Sequence, residues 1–297
     1  MYPYFLPNEK ELQEVIVSSL KEQDAVLTTQ VIQTGWTNIT MDVHGEQNDY
    51  IFRFPRNRFF ADMIVKDCRF CSFVGGKTRI QTPQMKLLFD QGRPFSRHVK
   101  IKGTALDKRM NDLSDVERTR VAEDLSGFLT DLHQINPDQM PTDIRESLND
   151  FLTGLATVHN GDYNISMHNQ LIDMEKNPDR TCIVHGDFHP GNVLVDDANR
   201  VCGVIDFAFA SISDYHADLG RFVGRSEARL GQALVQAYQE QHQHPCLNDR
   251  IQKIVDLFQY VEFKYVQYMQ SSHPEILIPA SVLDMASQYS MTHARAS

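Results

Sequence analysis

No run in this chain of 297 residues is apolar for the length a bilayer requires, so a membrane-spanning helix is excluded. Five cysteines, an odd number in a chain this long, do not make a disulfide framework. Cys68 and Cys71 form a C-x-x-C with no second pair. They fall in a helical pattern and read as buried thiols rather than as a zinc or redox site. No basic block is present and the net charge is −10, which excludes a nucleic-acid footprint. Glycine is also sparse where a phosphate-binding loop would need it. Gly75-Gly76-Lys77-Thr78 imitates a P-loop, but Cys71 stands where the earlier glycine belongs, so that reading is discarded. The opening residues Met1-Tyr2-Pro3-Tyr4-Phe5 lack the basic start and apolar stretch of a secretory signal. A cytoplasmic enzyme is the expectation.

What the chain does have is apolar content of 41%, enough for a substantial core. Its most informative stretch is Ile183-Val184-His185-Gly186-Asp187-Phe188-His189-Pro190-Gly191-Asn192-Val193-Leu194-Val195, followed by Val201-Cys202-Gly203-Val204-Ile205-Asp206-Phe207. Short apolar runs bounded by Gly, Pro and Asp read as buried strands with a polar loop between them. The loop offers Asp187 and, five positions on, Asn192; Asp206 arrives at the end of a later strand. One carboxylate is then free to act as a base. An amide oxygen and a second carboxylate remain as hard donors of the kind Mg²⁺ prefers. Phosphoryl transfer from a nucleoside triphosphate to a hydroxyl asks for this set.

The segment His185-Gly186-Asp187-Phe188-His189-Pro190-Gly191-Asn192, with Ile205-Asp206-Phe207, resembles the protein-kinase-like superfamily, and most closely the aminoglycoside phosphotransferase and choline kinase group. The resemblance implies an α+β, two-lobed kinase-like fold. Residues 1–102 would form a small antiparallel-sheet lobe that binds nucleotide, and residues 103–297 a larger, mostly helical lobe with catalytic and substrate-binding groups. It also implies Asp187 as catalytic base, Asn192 and Asp206 as Mg²⁺ ligands, and ATP or GTP as phosphate donor.

Along the chain, Leu12, Val15, Ile16 and Leu20 make a helical stripe behind the capping residue Asn8. Strands are expected at 26–34, 39–44 and 50–55. Between the first two, Thr34 and Gly35 lie where the resembled family covers the nucleotide phosphates. Arg53, on the third strand, stands where that family has lysine, and Asp67, on the next helix, where it has glutamate. In the family that pair meets the phosphates. A longer arginine and a shorter aspartate can compensate and retain the ion pair, but the two cations differ in hydration and geometry, so the sequence leaves open whether the pair forms.

Closing strands are expected at Met85–Asp90 and Ser96–Ile101, around a turn at Gln91–Pro94. The segment His98–Gly103 resembles the hinge of the aminoglycoside phosphotransferases, which implies that backbone groups near Val99 and Ile101 meet the purine. Helices are expected from Ser114 to Ile135, with a capping box of Ser114 and Glu117, at Thr142–Val158 and Ile165–Asn177, and at 227–242 and 248–271. The resemblance implies that Asp218 steadies the catalytic loop; Asp214 is expected to cap a helix, while His133 reads as a core or capping residue. Glu240, Asp256 and Glu262 read as solvated helix faces.

These observations predict a Mg²⁺-dependent phosphotransferase acting on a small molecule with a hydroxyl acceptor, with neither nucleic acid nor membrane as partner. By resemblance the acceptor is an aminoglycoside and the role antibiotic resistance. Yet Leu219–Glu227, with two arginines and one glutamate, is a poor cation pocket. An amino alcohol or a sugar stays open as acceptor, as does a catalytically inactive nucleotide-binding protein of the same fold.

Overall fold

A computed structural model describes residues 8–32, 37–145, 178–242, 246, 248–272, 278 and 283. The loop residues Thr34 and Gly35, most of the helix expected at 142–158 and the whole of that at 165–177 lie outside the described residues.

The N-terminal part is built on an antiparallel sheet of β1 (Val26–Ile32), β2 (Asn38–Gly45), β3 (Asp49–Pro55), β4 (Lys86–Asp90) and β5 (Arg93–Val99), in the order β1-β2-β3-β5-β4. Helix α1 (Glu9–Leu20) starts in a reciprocal capping box between Asn8 and Glu11. Leu12, Ile16 and Leu20, spaced by four, are fully buried with Met41, Val43, Phe52, Phe54 and Phe95 of the sheet. The period of two in β3 therefore sends Tyr50, Phe52 and Phe54 into this core and leaves Ile51 and Arg53 on the other face. Helix α2 (Arg58–Val74), capped by Asn57, carries Asp67.

One boundary differs from expectation. The second closing strand begins at Arg93 and ends at Val99. Gln91 and Gly92 both take positive φ, 48° and 80°. A two-residue turn of that kind matches strand twist and lets pairing resume at once.

The C-terminal part begins with β6 (Thr104–Ala105) and α3 (Asp115–Gln134), the latter capped reciprocally by Ser114 and Glu117. It continues through β7 (Thr181–Val184), β8 (Val193–Val195), β9 (Val201–Val204), β10 (Ser211–Asp214), α4 (His216–Val223), α5 (Ala228–His242) and α6 (Asn248–Ser272). β7 pairs with β10, whereas β8 pairs with β6 and β9. The polar loop at 185–192 thus passes from one small sheet to another. Phe128 stacks on Phe188 and meets Phe207 at a tilt, and Phe207 stacks on Phe70 of α2, joining the two parts through one core.

Candidate active site

The loop is shaped from below by Asp218 of α4. This fully buried carboxylate accepts the backbone N–H groups of His185 and Gly186, both at 2.9 Å. Its Oδ2 also lies 3.0 Å from Nε2 of buried His133, whose Nδ1 is 2.8 Å from the Tyr238 hydroxyl. The site-supporting aspartate and the core histidine expected from the sequence are therefore partners. Gly186 has φ of 78°, and a Cβ there would meet the Phe209 carbonyl oxygen at 2.1 Å, so only glycine fits this turn. The Asp187 N–H donates to His185 Nδ1 at 3.3 Å, which fixes His185 as the Nε2–H tautomer facing the Ile205 carbonyl at 3.1 Å.

Asp187 and Asn192 are brought together directly. The Asn192 amide nitrogen donates to the Asp187 backbone carbonyl at 2.9 Å and to its Oδ2 at 3.2 Å. The amide oxygen of Asn192 is consequently turned away from Asp187. The Asn192 carbonyl accepts from Ile205 N–H at 2.9 Å, which brings the strand end that bears Asp206 alongside. Asp206 is a non-glycine residue with φ of 68°, a conformation Asp tolerates better than most residues.

Arg53 reaches this point from the N-terminal sheet. One guanidinium nitrogen pairs with Asp67 and another lies 3.3 Å from Asp206 Oδ1. Burial disfavours the Arg53 charge, but the two carboxylates outweigh it and hold the guanidinium firmly protonated. Asp67 is 0% exposed; its other oxygen accepts the Phe207 N–H at 3.0 Å and the Cys71 thiol at 3.4 Å. The arginine–aspartate pair is therefore formed. It does more than pair: it fastens α2 and β3 to the peptide that follows Asp206. Cys68 and Cys71 are both buried free thiols, and burial pushes Cys68 up to about 12.

Val99 ends β5 with its side chain 51% exposed, and Ile101 is buried against Gly203 of β9. The two lie where the sheet gives way to the C-terminal part.

The side of Asp187 remote from Asn192 carries the feature that the sequence reading missed. Arg221 of α4 donates Nε and Nη2 to Asp187 Oδ1, at 2.9 and 2.6 Å. Its Nη1 lies 2.6 Å from Glu262 Oε1 on α6, and that same oxygen accepts Arg225 at 2.6 Å. Glu262 is thus not a solvated helix face, unlike Glu240 and Asp256, whose hydrogen bonds among the described residues are to glutamines a turn away. The close approach of α4 and α6 depends on Gly220, where a Cβ would sit 2.3 Å from Ile254 Cγ2. The sequence signal was an arginine set between Leu219 and Phe222 in an otherwise apolar helical stripe.

Burial alone would push the Asp187 carboxyl up, but the Arg221 charge, with His189 3.6 Å from Oδ2, holds it well below the usual carboxylate range. Asp214 stands at the end of β10 and accepts His216 N–H at 2.9 Å, so it serves the start of α4 from one residue ahead of the cap position.

Among the described residues no cluster of three or more His, Cys, Asp or Glu is arranged for a metal. A cation near Asp206 would find one carboxylate and the Asn192 amide oxygen. Such a set fits Mg²⁺, which completes its shell with water and phosphate oxygens.

The model of the phosphotransferase enzyme family known as APH matches residues 28–249. The chain belongs to that family. Among solved structures, the GDP and kanamycin complex of APH(2")-IIIa is 17% identical, with a TM-score of 0.74 over 96% of this chain and 99% of that one. The apoenzyme of the macrolide 2'-phosphotransferase MphH from Brachybacterium faecium is 16% identical, with a TM-score of 0.67 over 93% and 96%. The streptomycin–ATP complex of APH(2")-IIa is 18% identical, with a TM-score of 0.64 over 87% and 90%. These likenesses establish the two-lobed, kinase-like α+β fold for this phosphotransferase-family chain. No helix among the described residues is long and apolar enough to cross a membrane.

Proposed function

We propose that this protein is a small-molecule O-phosphotransferase that moves the γ-phosphate of ATP or GTP to an acceptor hydroxyl. The observation that carries the reading is the junction where Asn192 holds Asp187 and Arg53 reaches Asp206 from the other lobe. Residues 1–102 and 103–297 act as the nucleotide lobe and the catalytic lobe, with the nucleotide between them.

Asp187 orients the acceptor hydroxyl and takes its proton on Oδ2, the oxygen that Arg221 leaves free. Its low basicity suits a loose phosphoryl-transfer transition state, in which the proton is lost late and orientation matters most. Arg53, steadied by Asp67, contacts phosphate oxygens. The backbone at Val99 and Ile101 meets the purine, and Thr34 and Gly35 cover the phosphates, as the family resemblance implies. Asn192 and Asp206 hold Mg²⁺. The bound ion supplies neutralisation of the charge on the phosphates. Support for nucleotide as donor comes from the GDP and ATP complexes of the fold relatives.

The test is transfer of labelled γ-phosphate from ATP and from GTP, with and without Mg²⁺, to aminoglycosides, amino alcohols and sugars. Mg²⁺-dependent transfer to one acceptor class is expected. Tight nucleotide binding with no transfer to any class would mark a non-catalytic nucleotide-binding protein instead.

A further inference from the structure

Among the described residues, the group that meets the acceptor is surrounded by charges that cancel. Asp187 and Glu262 contribute two carboxylates, and Arg221 and Arg225 two guanidiniums. Arg221 spends Nε and Nη2 on Asp187 and Nη1 on Glu262, and Glu262 Oε1 takes both arginines. The remaining Asp187 oxygen already accepts from Asn192 and faces His189. An ammonium group bound next to the accepting hydroxyl would lose its water beside two guanidiniums, with both carboxylates already compensated. Recognition of a cation needs unspent negative charge to offset that desolvation. Like charges brought close are disfavoured all the more in a partly buried site. A hydroxyl needs none of this, because it donates to Asp187 as a neutral group and accepts from a guanidinium edge.

We infer that the accepting hydroxyl belongs to an uncharged polyhydroxylated segment, a sugar or cyclitol ring without an amino group beside the hydroxyl, and that Arg221 and Arg225 enforce this choice. The inference rests on the phosphotransferase reading above and narrows its acceptor. It separates this chain from relatives solved with the aminoglycosides kanamycin and streptomycin, even though the chain as a whole is acidic.

The experiment uses matched pairs that differ in one amino group, glucose against glucosamine and scyllo-inositol against scyllo-inosamine, with labelled nucleotide donor and the intact protein. The uncharged member is expected to show kcat/KM at least about tenfold higher, and Arg225→Gln to reduce that ratio several-fold. Circular dichroism confirms that the variant is folded, and the wild-type ratios stand without it. A preference for the amino member overturns the inference and leaves the phosphotransferase reading intact. Transfer to neither member of either pair, together with transfer to choline or to kanamycin, overturns it in the same way. Transfer to no hydroxyl compound at all removes both.

Discussion

Arg221 grips Asp187 by a single carboxylate oxygen, placing Nε at 2.9 Å and Nη2 at 2.6 Å from Oδ1. The opposite oxygen faces Asn192 and the space that an acceptor would enter. The pair therefore fixes both the orientation and the charge state of the residue proposed to take the proton.

The pH dependence of turnover should report this directly. Burial raises the Asp187 carboxyl, and the Arg221 charge more than reverses the rise. Since the ionised form is the working one, a lowered pKa keeps the enzyme active into acid. The wild-type kcat/KM should show no carboxylate limb down to about pH 5, above the ordinary Asp value near 3.9. Arg221→Met removes the cation and leaves the burial, so the limb should move to higher pH, into the measured range. A profile that does not move in the variant would contradict the coupling.

Arg53 should matter for stability as much as for nucleotide. Asp67 is wholly buried, and without Arg53 it keeps only a backbone N–H and a thiol as partners. Breaking a buried pair from one side typically costs about 3–5 kcal/mol. Arg53→Met should lose about that much in urea denaturation, and Arg53→Lys less, because an ammonium pairs with one carboxylate but does not fork between two. A loss below about 1 kcal/mol for Met, the range of a surface pair, would mean that Asp67 is not charged in the fold.

His98 supplies a second pH test, on folding alone. Burial and the Arg53 charge hold its imidazole down at about 4, and its Nδ1 has no hydrogen-bond partner among the described residues. The unfolded chain takes up that proton near pH 6.5. Stability from the neutral ring is thus present above that value and lost as pH falls toward the folded pKa. At pH 5 the loss is about 2 kcal/mol. His98→Leu should lose about that much less than wild type between pH 7 and pH 5; equal losses would contradict the burial argument.

Much of the fold and of the site could be read along the chain because the signals were local. Asn8 announced one helix start and the Ser114–Glu117 capping box another, and the structure adds Glu11 as the reciprocal partner of Asn8. Asp187, Asn192 and Asp206 fell within one loop and one hairpin, and the places of Arg53 and Asp67 in the family pattern marked them as a possible pair while leaving its formation open. What was not legible depends on packing over distance. Arg221 and Glu262 meet because Gly220 admits Ile254, a fact of two helix surfaces rather than of spacing. Arg53 reaching Asp206 joins residues from two lobes, and Asp67 holding the Phe207 N–H links a helix to a backbone group that no side-chain pattern reveals. The early start of β5 turned on φ values at Gln91 and Gly92, where the sequence reads as a turn through Pro94.

The account stands most directly on Asp187 as the group that orients and deprotonates the acceptor. The decisive measurement is phosphate transfer by Asp187→Asn beside wild type, with nucleotide affinity determined by calorimetry on the same samples. The account predicts a fall in kcat of about 10²–10⁴-fold with nucleotide affinity nearly unchanged. Turnover within a few-fold of wild type, or loss of nucleotide binding in step with activity, would contradict it.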